Sequence, residues 1–244
     1  MNIQHNRAID KPALGNRPET SGPDELEKFI YLLSHDVRNS ARALLEVPQW
    51  IEEDLIDLGY PVEGALAENI KLMNTHTRRL DRMLVDLLTF SRVGRKQTQH
   101  TVDLEEAVQM VLAQISLPHG FTVNTDLAQL SVDMGERDIL TLLGELITNS
   151  AKHHHRDRGS IALSARRDGG DLVIRARDDG PGITEKYRDR VFEAMITLKP
   201  RDEVEGSGMG LAIVRKIVQH YGGTLRWCME ADDASADLEI RLPT

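Results

Sequence analysis

The chain has 244 residues, a formal net charge of −9 and 40 % hydrophobic residues, a composition typical of a soluble globular protein with one or two domains. The acidic balance argues against a general binder of nucleic acid or membrane surfaces, because such proteins present a basic footprint. The single cysteine, Cys228, excludes an internal disulfide and a cysteine zinc cluster. With no long apolar run and no apolar signal region near its start, the sequence predicts a cytoplasmic protein without a membrane span.

The first 23 residues are rich in proline, glycine and charge, and they predict a flexible extension over residues 1–23. A helix is expected to begin at Asp24, which is a good N-cap after a proline. From there apolar residues recur every three or four positions as far as Leu58, and "DLGYPVEGA" then breaks the pattern. Pro48 lies inside this first run and should kink or loosen the helix.

The second apolar run repeats every seven residues, which is the pattern of helices that pack side by side in a bundle. Its members are Leu66, Ile70, Met73, Thr77, Leu80, Leu84 and Leu87. Two such helices joined by a short turn form an antiparallel hairpin, which buries little surface by itself. We therefore expect two copies of the chain to form a four-helix bundle. The alternative is a bundle completed by other helices of the same chain.

One histidine of the first helix lies off its apolar stripe. Within "LLSHDVRNSARALLEV", residues 32–47, His35 follows Leu33 by two positions and therefore lies roughly 200° around the helix, on its solvent side. An exposed helical histidine is ordinary by itself, so its meaning depends on the rest of the chain.

The polar stretch at residues 91–101 predicts a linker to a second domain. There we expect a helix over 103–116, strands in "FTVNTD" and "LSVD", and a helix over about 136–153. A strand hairpin turning at "DGG", a short helix near 185–193, a helix over about 210–221 and two final strands complete the pattern. This order predicts a two-layer α/β sandwich and, with the helical hairpin, an α+β protein.

Two polar clusters of the second domain carry groups suited to a nucleotide. In "ELITNSAKHH", Glu145, Asn149 and Lys152 share one helix face, and a carboxylate, an amide and an ammonium suit a Mg²⁺-bound polyphosphate. In "DDGPGI", Asp178 follows a strand and can accept a hydrogen bond from an exocyclic amine, while the glycines let backbone approach a flat ligand. Taken alone, each is also compatible with a solvated helix face or a tight turn.

The third cluster, "GSGMGLAIV", places three glycines before an amphipathic helix. Such a helix start bares backbone N–H groups, and the helix dipole adds attraction for phosphates. The G-x-G-x-G spacing is a weak signal alone, but its position before a helix is the right one for phosphate binding.

Together these motifs make the chain resemble the sensor histidine kinases of two-component signalling. "SHDVRN" resembles the histidine box, "ELITNSAKHH" the asparagine box, "DDGPGI" the first glycine box, "VFEAMITL" the phenylalanine box and "GSGMGLAIV" the second glycine box. The resemblance implies a helical-hairpin dimerisation and phospho-acceptor domain at residues 24–96, which forms a dimeric four-helix bundle. It also implies an ATP-binding domain of the Bergerat type at 97–244, shared with gyrase and mismatch-repair ATPases.

The same resemblance implies roles for individual residues. Asn149 should bind Mg²⁺, Glu145 should help to order the metal or its water, and Asp178 should bind the adenine amine. The implied ATP-binding set is Asn149, Lys152, His153, Asp178, Gly180, Gly182, Lys199, Gly206, Gly208, Gly210 and Leu211. The segment from about Met195 to Gly208 should form a lid over ATP. The triple histidine at 153–155 is interpreted as the end of the asparagine box and not as a metal site.

The resemblance also explains the exposed histidine. His35 should attack the γ-phosphate of ATP and then meet an aspartate of a response-regulator receiver domain, with Asp36 as general base. Asn39 occupies the position where kinases with phosphatase activity carry Thr or Asn, which implies a role in positioning water. Ser40 stands where the commonest histidine box has proline, so the coupling of helix motion to catalysis is expected to differ.

Two other functions share parts of this pattern. A histidine phosphotransfer relay protein would have the same architecture with a degenerate nucleotide site, which the intact Asn149, Asp178 and lid glycines argue against. A serine kinase acting on an anti-sigma partner would share the ATP domain but would not need the heptad hairpin. The 34 residues before His35 are too few for a sensory domain, so the signal is expected from a separate sensor protein or from a domain missing here.

Overall fold

The structure is a computed structural model that describes residues 22–95, 97–127, 129–199, 206–228 and 235–243. In the first helix only the backbone is described for residues 22–29, 33–36, 39–40, 42 and 43. The predicted extension falls almost entirely outside the described residues, as do residues 200–205 of the predicted lid. Within the described part, no helix is both long enough and apolar enough to cross a membrane.

Two long antiparallel helices form the N-terminal region, α1 (Gly22–Asp57) and α2 (Gly64–Arg92). The first begins two residues before the predicted N-cap, and it continues through Pro48, which is buried. The helices pack through a few small and aliphatic side chains, among them Ala41, Ile70 and Leu84. The pair Arg38 Nε–Asp81 Oδ1, at 3.1 Å, joins the two helices across their partly exposed flank.

The second region mixes short helices and strands. In chain order its elements are β1 (Gln99–Asp103), α3 (Leu104–Gln114), β2 (Phe121–Asp126), β3 (Ser131–Gly135), α4 (Glu136–His153), β4 (Gly159–Asp168), β5 (Asp171–Asp178), α5 (Gly210–His220), β6 (Thr224–Trp227) and β7 (Asp237–Leu242). Two 3₁₀ turns, Glu185–Tyr187 and Arg190–Phe192, lie between β5 and α5 where a single short helix was predicted.

A five-stranded mixed sheet forms one layer of this region, in the order β2-β4-β5-β7-β6. Strand β2 runs parallel to β4, and the other neighbours are antiparallel. The apolar faces of α3, α4 and α5 cover one side, and the core lies between the layers with side chains such as Leu143, Ile174 and Ile213 fully buried. The predicted α+β class and two-layer sandwich are confirmed, and the dimeric bundle stays a prediction.

Strand β1 was not expected from the sequence. It lies partly in the stretch predicted as a linker and pairs with β3 to form a separate two-stranded sheet, with Val102 opposite Val132. Its first three residues are exposed and polar, so the alternation that indicates a strand is absent there. The strand depends on a partner about thirty residues later in the chain, which local pattern does not reveal.

The end of α2 is tightly joined to the second region. The Arg137 guanidinium donates to the carbonyls of Arg92 and Arg95, at 2.6 and 2.8 Å. The buried Asp138 carboxylate accepts the Gly94 N–H at 2.8 Å and the Tyr221 hydroxyl at 3.0 Å. These contacts fix the direction in which α2 leaves the sandwich, and they place the side of α2 against the cleft described next.

Candidate functional site

A large cavity of about 990 Å³ lies between the sandwich and the helical hairpin. Its walls come from one face of α4, the end of β5 and the loop after it, the glycine segment before α5, and one side of α2. Of the predicted site residues, those that line it are Glu145, Asn149, Lys152, His153, Asp178, Gly182, Lys199, Gly206, Gly208, Gly210 and Leu211. Segments far apart in sequence therefore meet around one space.

The α4 wall carries the predicted carboxylate, amide and ammonium. The opposite face of α4 is anchored in the core by Leu142, Leu143 and other aliphatic side chains, so these polar groups turn toward the cavity. The start of α5 lies directly against them. A Cβ on Gly210 would stand 2.5 Å from Glu145 Oε2 and 2.7 Å from Asn149 Nδ2, so a side chain larger than glycine's hydrogen would collide there.

The acidity of Glu145 is strongly perturbed. Burial, followed by the nearby negative charge of Asp86, raises its pKa to about 7. The positive charges of Lys152 and Arg82 act in the opposite direction but do not cancel these effects. A carboxyl group with this pKa can both accept and release a proton near neutral pH, which suits a general base or a group that orders water.

The same wall fits a hard cation. Asn149 Nδ2 is buried without a hydrogen-bond partner in the structure, and the neighbouring carboxyl group is buried enough to resist ionisation. Oxygen ligands from an amide and a carboxylate are those that Mg²⁺ takes when it also binds phosphate and water. A cation bound by Asn149 Oδ1 and Glu145 would favour the ionised carboxylate, and an oxygen of the substrate that it accompanies would accept the Nδ2 hydrogen.

The β5 wall ends in a carboxylate. Asp178, the last residue of the strand, is buried, and its Oδ1 accepts the Gly180 N–H at 2.9 Å. Gly180 does not itself line the cavity, and it acts by orienting this carboxylate. Apolar side chains surround the position, among them Ile183 and Leu238. A flat apolar slot with one fixed acceptor is suited to an aromatic base that carries an amino group.

The glycine segment forms the third wall. Gly208 has φ +77°, and a Cβ there would stand 2.7 Å from the Ile196 carbonyl oxygen, so glycine is required both by conformation and by space. A Cβ on Gly206 would stand 2.8 Å from Lys152 Nζ. The Lys152 ammonium therefore lies directly against the backbone that opens α5, and the two form a region suited to phosphate.

His153 ends α4, and the two histidines at 153 and 154 differ in their surroundings. The His153 ring lies in the cavity wall, and loss of solvent there, followed by the charges of Lys152 and Lys199, lowers its pKa to about 4. His154 Nε2 lies 3.1 Å from Asp179 Oδ1, and the same oxygen accepts the Ser160 N–H at 2.7 Å. His154 therefore holds the loop after β5 against the start of β4.

The predicted phospho-acceptor group lies in α1. His35, Asp36 and Asn39 belong to the helical backbone, and their side chains are outside the described residues, so their predicted roles stay predictions. Sequence reasoning missed the contribution of α2 to the cavity, which includes Arg78, Arg82 and Asp86. No local motif marks these residues, because they look like the solvated side of a bundle helix until the two regions are brought together.

Comparison with known proteins gives a consistent result. Residues 134–244 match the family described as histidine kinase-, DNA gyrase B-, and HSP90-like ATPase. The chain is 29 % identical over 226 residues to the methanogenesis regulatory histidine kinase FilI of Methanothrix harundinacea, covering 90 % of this chain and 25 % of that protein. It is 27 % identical over 238 residues to cyanobacterial phytochrome A of Nostoc sp., covering 92 % and 29 %.

A third relative is the sensor histidine kinase GlrK of Escherichia coli, 23 % identical over 269 residues, which covers 98 % of this chain and 55 % of that protein. The chain thus spans between 25 and 55 % of the length of these three relatives. Among solved structures, full-length ShkA in complex with AMPPNP has a TM-score of 0.65 at 22 % identity, covering 89 % of this chain and 46 % of that one. The Acinetobacter baumannii histidine kinase AdeS has a TM-score of 0.56 at 21 % identity, covering 83 % and 95 %. At these identities the two structures establish likeness of fold.

Proposed function

This chain is a relative of the sensor histidine kinases and carries their ATPase domain, matched over residues 134–244, and from that premise we propose that it is an ATP-dependent protein-histidine kinase. The observation that carries the proposal is the single cavity into which α4, the end of β5 and the glycine segment bring their polar groups. The phosphoryl group passes from ATP to His35 and then to an aspartate of a response-regulator receiver domain.

Different residues of the cavity bind different parts of ATP. The Asp178 carboxylate accepts a hydrogen bond from the adenine amine in the apolar slot, and its hydrogen bond to Gly180 keeps it oriented. Lys152 and the N–H groups that open α5 bind the phosphates. Lys199, on the lid segment, closes over them. This division places the adenine deep in the cavity and the γ-phosphate toward the helical hairpin.

Asn149 and Glu145 are the groups that would hold Mg²⁺ with the nucleotide. When bound, the cation would neutralise charge that develops on the transferred phosphoryl group. The carboxyl group of Glu145 orders a water molecule there, and its raised pKa lets it exchange a proton near neutral pH.

The transfer step uses a neutral imidazole. A ring nitrogen of His35 attacks the γ-phosphorus, the N–P bond forms as the bond to the β,γ-bridging oxygen breaks, and ADP leaves with that electron pair. Asp36 accepts the hydrogen bond of the other ring N–H and stabilises the positive charge that the ring acquires. An aspartate oxygen of the receiver domain then attacks the phosphorus, and His35 leaves as neutral imidazole.

Exposed apolar stripes on the hairpin support a homodimer. Val37, Leu44, Ile51 and Leu58 on α1 recur at seven-residue spacing, as do Leu66, Met73 and Leu80 on α2, and each is between 36 and 71 % exposed in the single chain. The alternate heptad positions Ile70 and Leu84 are buried in the single chain, in which α2 packs along α1. One set of positions therefore closes the hairpin, and the other is left for a second copy, which completes a four-helix bundle.

The remaining assignments follow from the same proposal. A receiver domain would dock beside His35, and Asn39 would position water for hydrolysis of the phosphorylated regulator. The input comes from a separate sensor or from a sensory domain outside this sequence. The single cysteine and the acidic charge balance favour the cytoplasm as the location.

The test of the kinase is incubation of the purified protein with Mg²⁺ and γ-labelled ATP, followed by acid and alkali treatment. We expect label that is acid-labile and alkali-stable, as a phosphoramidate is. His35→Gln should abolish labelling while nucleotide binding persists. Label that survives in His35→Gln would remove His35 as the acceptor, and absence of both label and ATP binding in the unaltered chain would favour a relay protein.

The phosphatase assignment has its own test. Asn39→Ala should leave autophosphorylation within about twofold and slow the dephosphorylation of a purified, phosphorylated receiver domain by roughly tenfold or more, because a positioned water is lost. An unchanged rate of dephosphorylation would overturn the role given to Asn39 and leave the kinase proposal untouched.

A further inference from the structure

Asp86 belongs to the hairpin, but its partners belong to the ATPase domain. It lies on the side of α2 that faces the cavity, where it is largely removed from solvent. It lines the same cavity as Ser207 and Lys152, and both neighbours favour its charged form by lowering a pKa that burial raises. A carboxylate of the helical region therefore reaches into the space that the proposed function gives to ATP.

Both partners are groups that recognise an anion. Ser207 is buried between Gly206 and Gly208, and its Oγ accepts the Met209 N–H at 3.0 Å. Its own O–H can donate to an acceptor in the cavity, and Asp86 lines that cavity. The Lys152 ammonium lies against the backbone of Gly206. A hydroxyl and an ammonium near the N-terminus of an eleven-residue helix can both donate hydrogen bonds to a phosphate group.

A second carboxyl group adds to the local negative charge. The negative charge of Asp86 raises the pKa of Glu145, and both side chains are partly buried. A triphosphate that enters the cavity brings several more negative charges to the same place. In a partly desolvated cleft the repulsion between like charges is far larger than in water.

We propose that Asp86 competes with the triphosphate of ATP for Ser207 and Lys152, so that the docked hairpin and the bound nucleotide oppose each other. The proposal rests on the proposed function, since it assumes that the cavity binds ATP. The carboxylate acts as an internal substitute for a phosphate group, placed by α2 and withdrawn when α2 moves.

Reciprocity follows from thermodynamic linkage. A shift of α2 that withdraws Asp86 raises the affinity for ATP, and ATP in turn weakens the docking of the hairpin on the ATPase domain. The release frees the loaded ATPase domain to approach the phospho-acceptor helix. A signal that rotates or slides α2 would then act on nucleotide affinity through a single side chain.

The test compares nucleotides on the full chain, using calorimetric titration in the presence of Mg²⁺. Asp86→Asn should tighten ATP binding by roughly five- to tenfold, because a like charge is removed from a partly buried site. ADP should show a smaller gain in the same direction. Adenosine has no phosphate and should bind with unchanged affinity. Glu68→Gln is the matched control, since it makes the same charge change on the exposed start of α2 and should alter none of the three.

The outcomes separate cleanly. Weaker Mg²⁺–ATP binding in Asp86→Asn would make Asp86 a ligand of the metal and overturn the proposal, and so would equal ATP affinity in the variant and the unaltered chain. Unchanged adenosine binding shows that the variant is folded, and Asp86→Ser provides a second variant if it is not. Failure of the unaltered chain to bind ATP, ADP or adenosine would instead refute the proposed function.

Discussion

The two regions of this protein solve the problem of burying apolar surface in different ways. The sandwich closes its core within one chain, where side chains from three helices and five strands are almost fully buried. The helical hairpin has few buried side chains among those described, and it leaves one apolar heptad stripe exposed on each helix. The sandwich is therefore expected to be stable as a single copy, whereas the stability of the hairpin depends on a partner.

The contacts between the two regions connect the self-contained sandwich to the hairpin, whose packing is incomplete in one chain. Arg137 and Asp138 fix the end of α2, and Asp86, more than one turn earlier on the same helix, lines the cavity. A rigid sandwich is thus connected to helices whose packing is completed from outside. Changes in that packing can reach the site without disturbing the core that shapes it.

The largest expected effect is on the assembly of the hairpin. Met73→Asp places a charge in the exposed stripe of α2, so each dimer would bury two unpaired carboxylates at a cost of several kcal/mol each. We expect a monomer at micromolar concentration by sedimentation velocity. The control is Leu72→Asp, since Leu72 is 55 % exposed and lies off the stripe. Equal behaviour of the two variants would contradict the proposed dimer face.

The next effect concerns the core of the sandwich. Leu143→Ala removes a fully buried side chain and should lower the free energy of unfolding of this domain by about 3 kcal/mol, through lost burial and the cavity that remains. Leu72→Ala should change it by less than about 0.5 kcal/mol. In calorimetry, the midpoint of the Leu143→Ala transition should not depend on protein concentration. A midpoint that rises with concentration would mean that the sandwich also depends on a second copy.

The pH dependence of stability tests the place where the regions meet. Because the pKa of Glu145 in the folded chain is about 7 and its ordinary value is 4.5, the folded chain holds a proton that the unfolded chain releases between these values. The associated stability is present below about pH 4.5 and is lost as pH rises through 7, a loss of roughly 3 kcal/mol in the nucleotide-free and metal-free protein.

Denaturant titration at several pH values checks this directly. The lowered pKa of His153 contributes the opposite slope between about pH 4 and 6.5. Glu145→Gln keeps that contribution and loses its own, so the stability of the unaltered chain minus that of the variant should fall between about pH 4.5 and 7. Asp86→Asn should shift this fall to lower pH, because one cause of the raised pKa of Glu145 is removed. Identical profiles for Glu145→Gln and the unaltered chain would show that the group does not titrate in this range.

The smallest effect belongs to the sandwich alone. Asp178→Asn should weaken ATP binding by about tenfold or more, because a hydrogen bond to a charged acceptor contributes about 1.5–3 kcal/mol. It should leave the oligomeric state unchanged. Asp171→Asn, at the other end of the same strand, should leave ATP affinity unaltered. A change of oligomeric state in Asp178→Asn would contradict the division between the two regions.

Local sequence pattern determined much of this protein. The heptads of α2, the face shared by Glu145 and Asn149 on α4, and the strand that ends at Asp178 follow from periodicities of 3.6 and 2 residues, which each segment carries in itself. The glycines before α5 were also identified from local sequence, because the amphipathic helix that begins directly after them indicates a phosphate-binding position.

What only the tertiary structure decided depends on partners distant in the chain. Strand β1 exists because Val102 meets Val132, and Ser207 acquires a role because α2 brings Asp86 to it. The raised pKa of Glu145 likewise needs burial and a charge from another region. Burial, electrostatic coupling and strand pairing depend on residues that are distant in sequence and adjacent in the folded chain. Residues without a local pattern therefore acquire their roles from the side chains that pack against them.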